Sequence, residues 1–210
     1  MTLARPLEHI VLASASSRRL ELLRSLGLAV ECAPSGYDEP TLAGVSPERL
    51  AVLHARAKLA SARASRDGAG QENAIPIVAA DTVVDLEGTA LGKPRDAADA
   101  ARMLRLLAGR EHRVHTAFAL FAPGRQAPIE EISTTRVRFY PLEDAEIDAY
   151  VATGEPLDKA GAYGIQGRAA ALVESIDGDF YTVMGFPLAR FVRALRRLGF
   201  SLPVAKGTAP

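Results

Sequence analysis

Ser14, Ser16, Ser17, Arg18 and Arg19 set three hydroxyls and two guanidinium groups close together near the start of the chain. Ile10–Ala13, just before them, is an apolar run suited to a buried strand, and Leu20, Leu23 and Leu26 then repeat at helical spacing until Gly27. A strand that enters a helix through such a turn presents free backbone N–H groups and the positive helix end, so the turn is suited to an anion. Taken alone, it also fits a plain serine cap beside two solvated arginines. Residues further along decide between these.

Asp81 is the most telling of them. Pro76–Val84 is nearly all apolar and reads as a strand buried on both faces, with the carboxylate in its middle. Burying that charge costs several kcal/mol unless it meets a cation, a metal or hydrogen-bond donors. Asp85 cannot share its ion, because four residues of strand separate the two by roughly 13 Å. A turn centred between Glu87 and Gly88 would bring the returning strand back with Lys93 opposite Thr82 and Pro94 opposite Asp81, delivering an ammonium to the acid. Gly92-Lys93-Pro94 lacks the glycine spacing and the Ser/Thr of a phosphate-binding P-loop.

The elements that must position these groups follow from pattern. Val30–Ala33 reads as a second strand, and Pro34–Val45 as a loop carrying Glu39. Ser46-Pro47-Glu48 starts a helix that runs to about Ala64, with Leu50, Leu53, Ala57 and Ala60 as its inner stripe. Lys58 falls just off that stripe, with its stem along the core boundary and its ammonium toward a cleft. Arg66–Asn73 reads as a polar link. Asp96 caps a helix whose stripe is Ala100, Met103, Leu104 and Leu107, and Arg113–Phe121 and Ile129–Phe139 read as an antiparallel strand pair. Glu143–Ala152 is a short helix, Ala169–Ile176 and Phe180–Val183 read as strands, and Pro187 opens a last helix with Leu188, Phe191, Leu195 and Leu198 inward. Gly154–Gly167, G-E-P-L-D-K-A-G-A-Y-G-I-Q-G, is too rich in glycine and packed-looking residues to be a flexible loop.

Composition bounds the function. The 210 residues suit one domain, expected over 1–200 with a frayed tail at 201–210. With 25 basic and 25 acidic residues the chain has no net charge, which argues against a nucleic-acid polymer or an acidic membrane as partner. No run is long and apolar enough to span a bilayer and no secretory leader is seen, so a cytoplasmic protein is expected. Cys32, the single cysteine, reads as a buried or half-buried side chain, and His9, His54, His112 and His115 fall into no metal-ligand spacing.

Read together, L-A-S-A-S-S-R-R-L-E-L-L, A-A-D-T-V-V, L-G-K-P and T-G-E-P-L-D-K-A-G-A-Y-G-I-Q-G resemble the Maf family of nucleoside triphosphate pyrophosphatases, over about Ile10 to Leu198. One departure is Ser17, which stands where that family usually has the proline of S-x-S-P-R-R. The resemblance implies an α/β fold: an elongated, curved mixed β-sheet flanked by helices, in two lobes with a cleft between them. It implies hydrolysis between the α- and β-phosphates with a divalent metal, Mg²⁺ or Mn²⁺, and a homodimer. By motif position Asp81 would be the proton acceptor, Arg18, Thr82 and Gln166 the positions tied to substrate choice, and Glu39 and Lys58 the family's glutamate and lysine.

The residues themselves agree with such chemistry. Arg18, Arg19, Lys58, Lys93 and Lys159, with the Ser14 hydroxyl, supply groups to bind a triphosphate, and Glu39 with Asp81 supplies oxygens for a metal. Asp81 acts as base or as metal ligand. Gln166 can both accept from the N–H and donate to a carbonyl of uracil or thymine, whereas the subgroup acting on 7-methyl-GTP carries glutamate there, so the motif points to dTTP and UTP. The alternatives are a house-cleaning enzyme for other modified nucleotides and a non-catalytic nucleotide-binding regulator of cell division.

Overall fold

The computed structural model describes residues 5–40, 42–68 and 75–203. Arg5–Pro6 (β1) precedes His9–Leu12 (β2), which passes through the serine-arginine turn into Ser17–Ser25 (α1). Ser16 caps α1 by accepting from the Arg19 N–H. Ala29–Cys32 (β3) is an edge strand, and Cys32 is exposed there rather than buried or half-buried as expected, because among the described residues no second strand covers that edge. Pro47–Gly68 (α2) starts as expected, with Ser46 accepting from the Arg49 N–H, but runs past Ala64 into the segment expected as a link; residues 69–73 of that link lie outside the described residues.

Ile77–Leu86 (β4) is the central strand, and Thr82 alone among its ten residues is not fully buried. It turns into Thr89–Leu91 (β5), and Ala97–Leu107 (α3) follows with all four stripe residues buried. Glu111–Phe121 (β6) and Ile129–Phe139 (β7) form the expected antiparallel pair, and Asp144–Val151 (α4) the expected short helix. Two expectations then fail. Arg168–Leu172 is a 3₁₀ segment, since alanines offer little to a strand, and only Val173–Asp177 (β8) pairs with β7. Phe180–Met184 (α5) is a helical turn despite its aromatic and β-branched content. Asp179 caps it and left-handed Gly185 ends it, and these termini outweigh propensity. Leu188–Arg197 (α6) leads to Phe200–Ser201 (β9), which pairs with β1, so the expected fraying does not begin at 201; residues 204–210 lie outside the described residues.

The result is a mixed sheet flanked by helices, in the order β3-β2-β4-β6-β7-β8. One edge of β4 is paired with β6 from Ile77 to Asp85. The other is shared: β2 runs parallel beside Ile77 and Val78, and β5 antiparallel beside Val84 to Leu86. Ala79 to Val83 therefore face a fork between two neighbouring strands. Along β4, Ile77, Ala79 and Val83 pack against α2, while Val78 and Ala80 join a core with α1 and α6, and Val84 and Leu86 one with α3 and α4. Thr82 sits between these last two cores, and its partner Thr116 on β6 sits likewise between Val114 and Phe118. Thr182 on α5, fully buried, closes this polar seam.

Asp179 Oδ2 accepts from both the N–H and the hydroxyl of Thr182, at 2.9 and 2.8 Å. Asp179→Ala should therefore lower unfolding free energy by about 1–2 kcal/mol, read from denaturant melts at neutral pH.

Candidate active site

The fork in the sheet opens into a cleft of about 550 Å³ that reaches both faces of β4. Alternation along a strand sends Asp81 to the α2 face and Thr82 to the opposite one, and both line this cleft. Ser14, Arg18, Arg19, Glu39, Lys58, Lys93, Lys159 and Gln166 line it as well, so every residue picked out from sequence is brought together.

On the α2 face, Lys58 Nζ bridges Asp81 Oδ1 and Glu39 Oε1, at 2.6 Å each. Lys58 and Asp81 are only 7% and 4% exposed, so each needs the other to be buried in ionised form. Burial alone would raise the Glu39 pKa, but the hydrogen bond and charge of Lys58, with Lys93 and Arg19, hold that carboxyl below its usual range. The ammonium that meets Asp81 thus comes from Lys58 and not from Lys93. The hairpin register is as expected, Val84 facing Leu91, but pairing stops there because β5 ends two residues short of Lys93. Lys93 is left on a loop at the cleft, and Thr82 ladders with Thr116 of β6.

The inner face of α2 is also turned from the expected one. Leu50, Ala51, His54, Ala55, Lys58, Leu59 and Ala62 are buried, while Ala60 is exposed. A stripe drawn through apolar residues alone passed over His54 and Lys58, which are polar because they border the cleft. The Tyr37 hydroxyl and His54 Nδ1 lie 3.3 Å apart at the cleft wall. Neither residue was picked out from sequence, although four-residue spacing puts His54 on the same helix face as Lys58.

On the other face, Arg19 is fixed by three neutral acceptors. Its Nε donates to the Gly185 carbonyl at 2.9 Å, Nη1 to Ser14 Oγ at 3.3 Å and Nη2 to Thr82 Oγ1 at 3.1 Å. Burial lowers its pKa, opposed by the charges of Asp81 and Glu39 and aided by Arg18. A guanidinium held only by neutral groups at a cleft wall keeps its charge available to an anion. Arg18 instead reaches across the mouth to Asp158 at 3.5 Å, and Lys159 Nζ donates to Asp158 Oδ1 and the Glu155 carbonyl at 2.6 and 2.7 Å. Asp158, which sequence reading left without a role, partly neutralises both.

The glycine-rich stretch closes the cleft as a folded unit. The Glu155 carboxylate accepts from the Tyr150 hydroxyl and the Arg168 N–H, both at 3.0 Å, and the Tyr150 oxygen accepts from the Gly164 N–H. Gly161 has φ +68° and a Cβ there would lie 2.8 Å from Val84, so only glycine lets this turn lie against β4. Tyr163 packs edge-on against His112 and Phe139, and its hydroxyl lies 2.8 Å from His112 Nε2. Gln166, exposed at the end of this turn, borders the cleft.

The Maf-like protein family model matches residues 9–198. The chain belongs to the Maf family. Among its relatives, the dTTP/UTP pyrophosphatase of Geotalea uraniireducens is 47% identical over 91% of this chain and 95% of its own. That of Anaeromyxobacter dehalogenans (strain 2CP-1) is 47% identical over 93% and 96%, and that of Bordetella parapertussis 46% over 96% and 98%. Among solved structures, the Staphylococcus aureus Ham1 protein is 17% identical, with a TM-score of 0.44 over 79% of this chain and 91% of that one.

His112, beneath Tyr163, has its pKa lowered by burial from 6.5 to about 4. The unfolded chain therefore takes up this proton first as pH falls, and stability present above about pH 6.5 drains away toward pH 4. His112→Gln should lose less stability than the parent between pH 7 and pH 5, as compared by denaturant midpoints at the two pH values.

Proposed function

We propose that this Maf-family protein hydrolyses the pyrimidine nucleoside triphosphates dTTP and UTP between the α- and β-phosphates, releasing the monophosphate and pyrophosphate. The observation that carries this reading is the Glu39–Lys58–Asp81 bridge opening onto the same cleft as an arginine that, among the described residues, is held only by neutral acceptors. The first group suits activation of water, the second suits a polyanion. The relatives' shared description as dTTP/UTP pyrophosphatases supports the substrate class.

In the reaction a water oxygen attacks the α-phosphorus, Asp81 takes the water's proton, and pyrophosphate leaves with the bonding pair of the broken P–O bond. Lys58 donates to Asp81 Oδ1 and so orients the carboxylate that receives the proton. Arg19 and Lys93, with Arg18 and Lys159 once phosphate competes with Asp158, stabilise the charge that builds on the phosphoryl oxygens.

A divalent cation, Mg²⁺ or Mn²⁺, fits this donor set. Glu39 and Asp81 already converge on one ammonium, and among the described residues no group of three or more His, Cys, Asp or Glu could hold an ion by itself. Two carboxylates with water and substrate phosphate completing the shell is the arrangement Mg²⁺ favours. When bound, the ion would neutralise phosphoryl charge. Among the described residues no helix is long and apolar enough to cross a membrane.

Asp81→Asn should keep the fold and lower kcat by about 10²-fold or more on UTP, read by pyrophosphate release with circular dichroism as the folding control; near-normal turnover would remove Asp81 from the mechanism. Gln166→Glu trades an amide that donates and accepts for a group that only accepts. It should lower kcat/KM for UTP and dTTP more than for purine triphosphates, and an unchanged nucleotide profile would count against base reading by this side chain.

A further inference from the structure

Three threonine positions in the polar seam share a limited supply of protons. Thr116 Oγ1, fully buried on β6, lies 2.7 Å from the Thr182 carbonyl. A carbonyl cannot donate, so the one proton of the Thr116 hydroxyl is committed there. Thr116 Oγ1 also lies 2.9 Å from Thr82 Oγ1. With its own proton spent, Thr116 can only accept in this contact, so the proton of Thr82 is committed in turn. Thr82 Oγ1 accepts from Arg19 Nη2 at 3.1 Å. The chain of donation therefore runs one way, from Arg19 through Thr82 and Thr116 to the Thr182 carbonyl.

At the cleft, Thr82 thus shows a hydroxyl oxygen with no proton to give and a lone pair to offer. Thr82 is the part-exposed residue of β4, and a Cβ at Gly185 would stand 3.4 Å from its oxygen, so the glycine keeps the approach open. An ionised polyphosphate offers only acceptors and gains nothing from such a group. A nucleobase imide N–H does, and with Thr82 taking that proton the Gln166 amide is left to donate to a flanking carbonyl.

We propose that Thr116 is a specificity-determining positioning residue: by holding the proton of Thr82 it makes that hydroxyl acceptor-only, which favours the imide N–H of uracil or thymine over the bare ring nitrogen of cytosine. This rests on the pyrimidine triphosphate reading above and refines it. Thr116 does not touch the nucleotide and acts through Thr82. Removing its hydroxyl frees the Thr82 proton to turn toward the cleft, where it can donate to cytosine.

The test compares kcat/KM on UTP and CTP for the parent, Thr116→Val and Thr116→Ser. The valine variant keeps shape and loses the hydroxyl, so its UTP:CTP preference should fall about tenfold or more, while the serine variant keeps the parent preference. A purely structural role would lower both substrates together and leave their ratio unmoved. An unchanged ratio in the valine variant, or a serine variant that behaves like it, would overturn the inference. If the valine variant fails to fold, Thr116→Ala removes the hydroxyl without new bulk and carries the same expectation. A parent protein inactive on both UTP and dTTP would instead overturn the pyrimidine reading, and the role of Thr116 with it.

Discussion

Asp81 can occupy the centre of the sheet because an ammonium meets it there. A carboxylate enclosed by Ala79, Ala80 and Val83 without a partner would shed its charge or open the strand. Lys58 removes that cost, and much of the architecture follows from bringing it. Helix α2 must cross the sheet at the height of Asp81, and its alanines allow the close approach: Ala51, Ala55 and Ala62 lie nearly flush against β4 and β6. Glu39 then leaves its loop to share the same ammonium.

The second constraint is an omission in the sheet. Had β2 or β5 continued along β4, the edge at Ala79–Val83 would be sealed by main-chain hydrogen bonds. Both strands stop, so groups from opposite faces meet around one strand edge. This is how consecutive residues, Asp81 and Thr82, serve one cleft while pointing apart: one is wired to Lys58 and the other to Arg19. The division of labour is built into the two-residue period of a strand.

Much of this was legible in the chain because single residues carried a contradiction that only a site resolves. Asp81 in an apolar run, and two arginines at a serine-rich helix start, were such contradictions, and both led to the cleft. The elements with strong periodicity, β4, α3, β6, β7 and α6, stand where the pattern put them. What escaped was tertiary. Periodicity could not place His54 and Lys58 on the inner face of α2, since it assigns polar residues outward. Short segments such as Phe180–Met184 obeyed their caps rather than their content. The partner of Asp81 was misassigned to Lys93 because a hairpin register says which residues would align, not where the ladder stops. Asp158 gave no signal, because its role depends on Arg18, which is distant in sequence.

A chain with no net charge has no overall field to draw in a polyanion, so attraction must be local. In the cleft Arg18, Arg19, Lys58, Lys93 and Lys159 face Glu39, Asp81 and Asp158, five positive groups against three negative. Most of that positive charge is already paired: Lys58 is shared by two acids, and Arg18 and Lys159 by one. Such pairing lets the groups be enclosed without ligand, since each has a partner against desolvation. Arg19 differs, and its neutral acceptors leave its charge uncancelled by direct contact. The cleft therefore combines two positive groups that no acid contacts among the described residues, Arg19 and Lys93, with a reserve held in exchangeable pairs, and a phosphate chain competing for Arg18 and Lys159 would release Asp158 from both. The modest surplus falls short of what a triphosphate carries, so in the proposed reaction a divalent cation held by Glu39 and Asp81 would supply the missing positive charge.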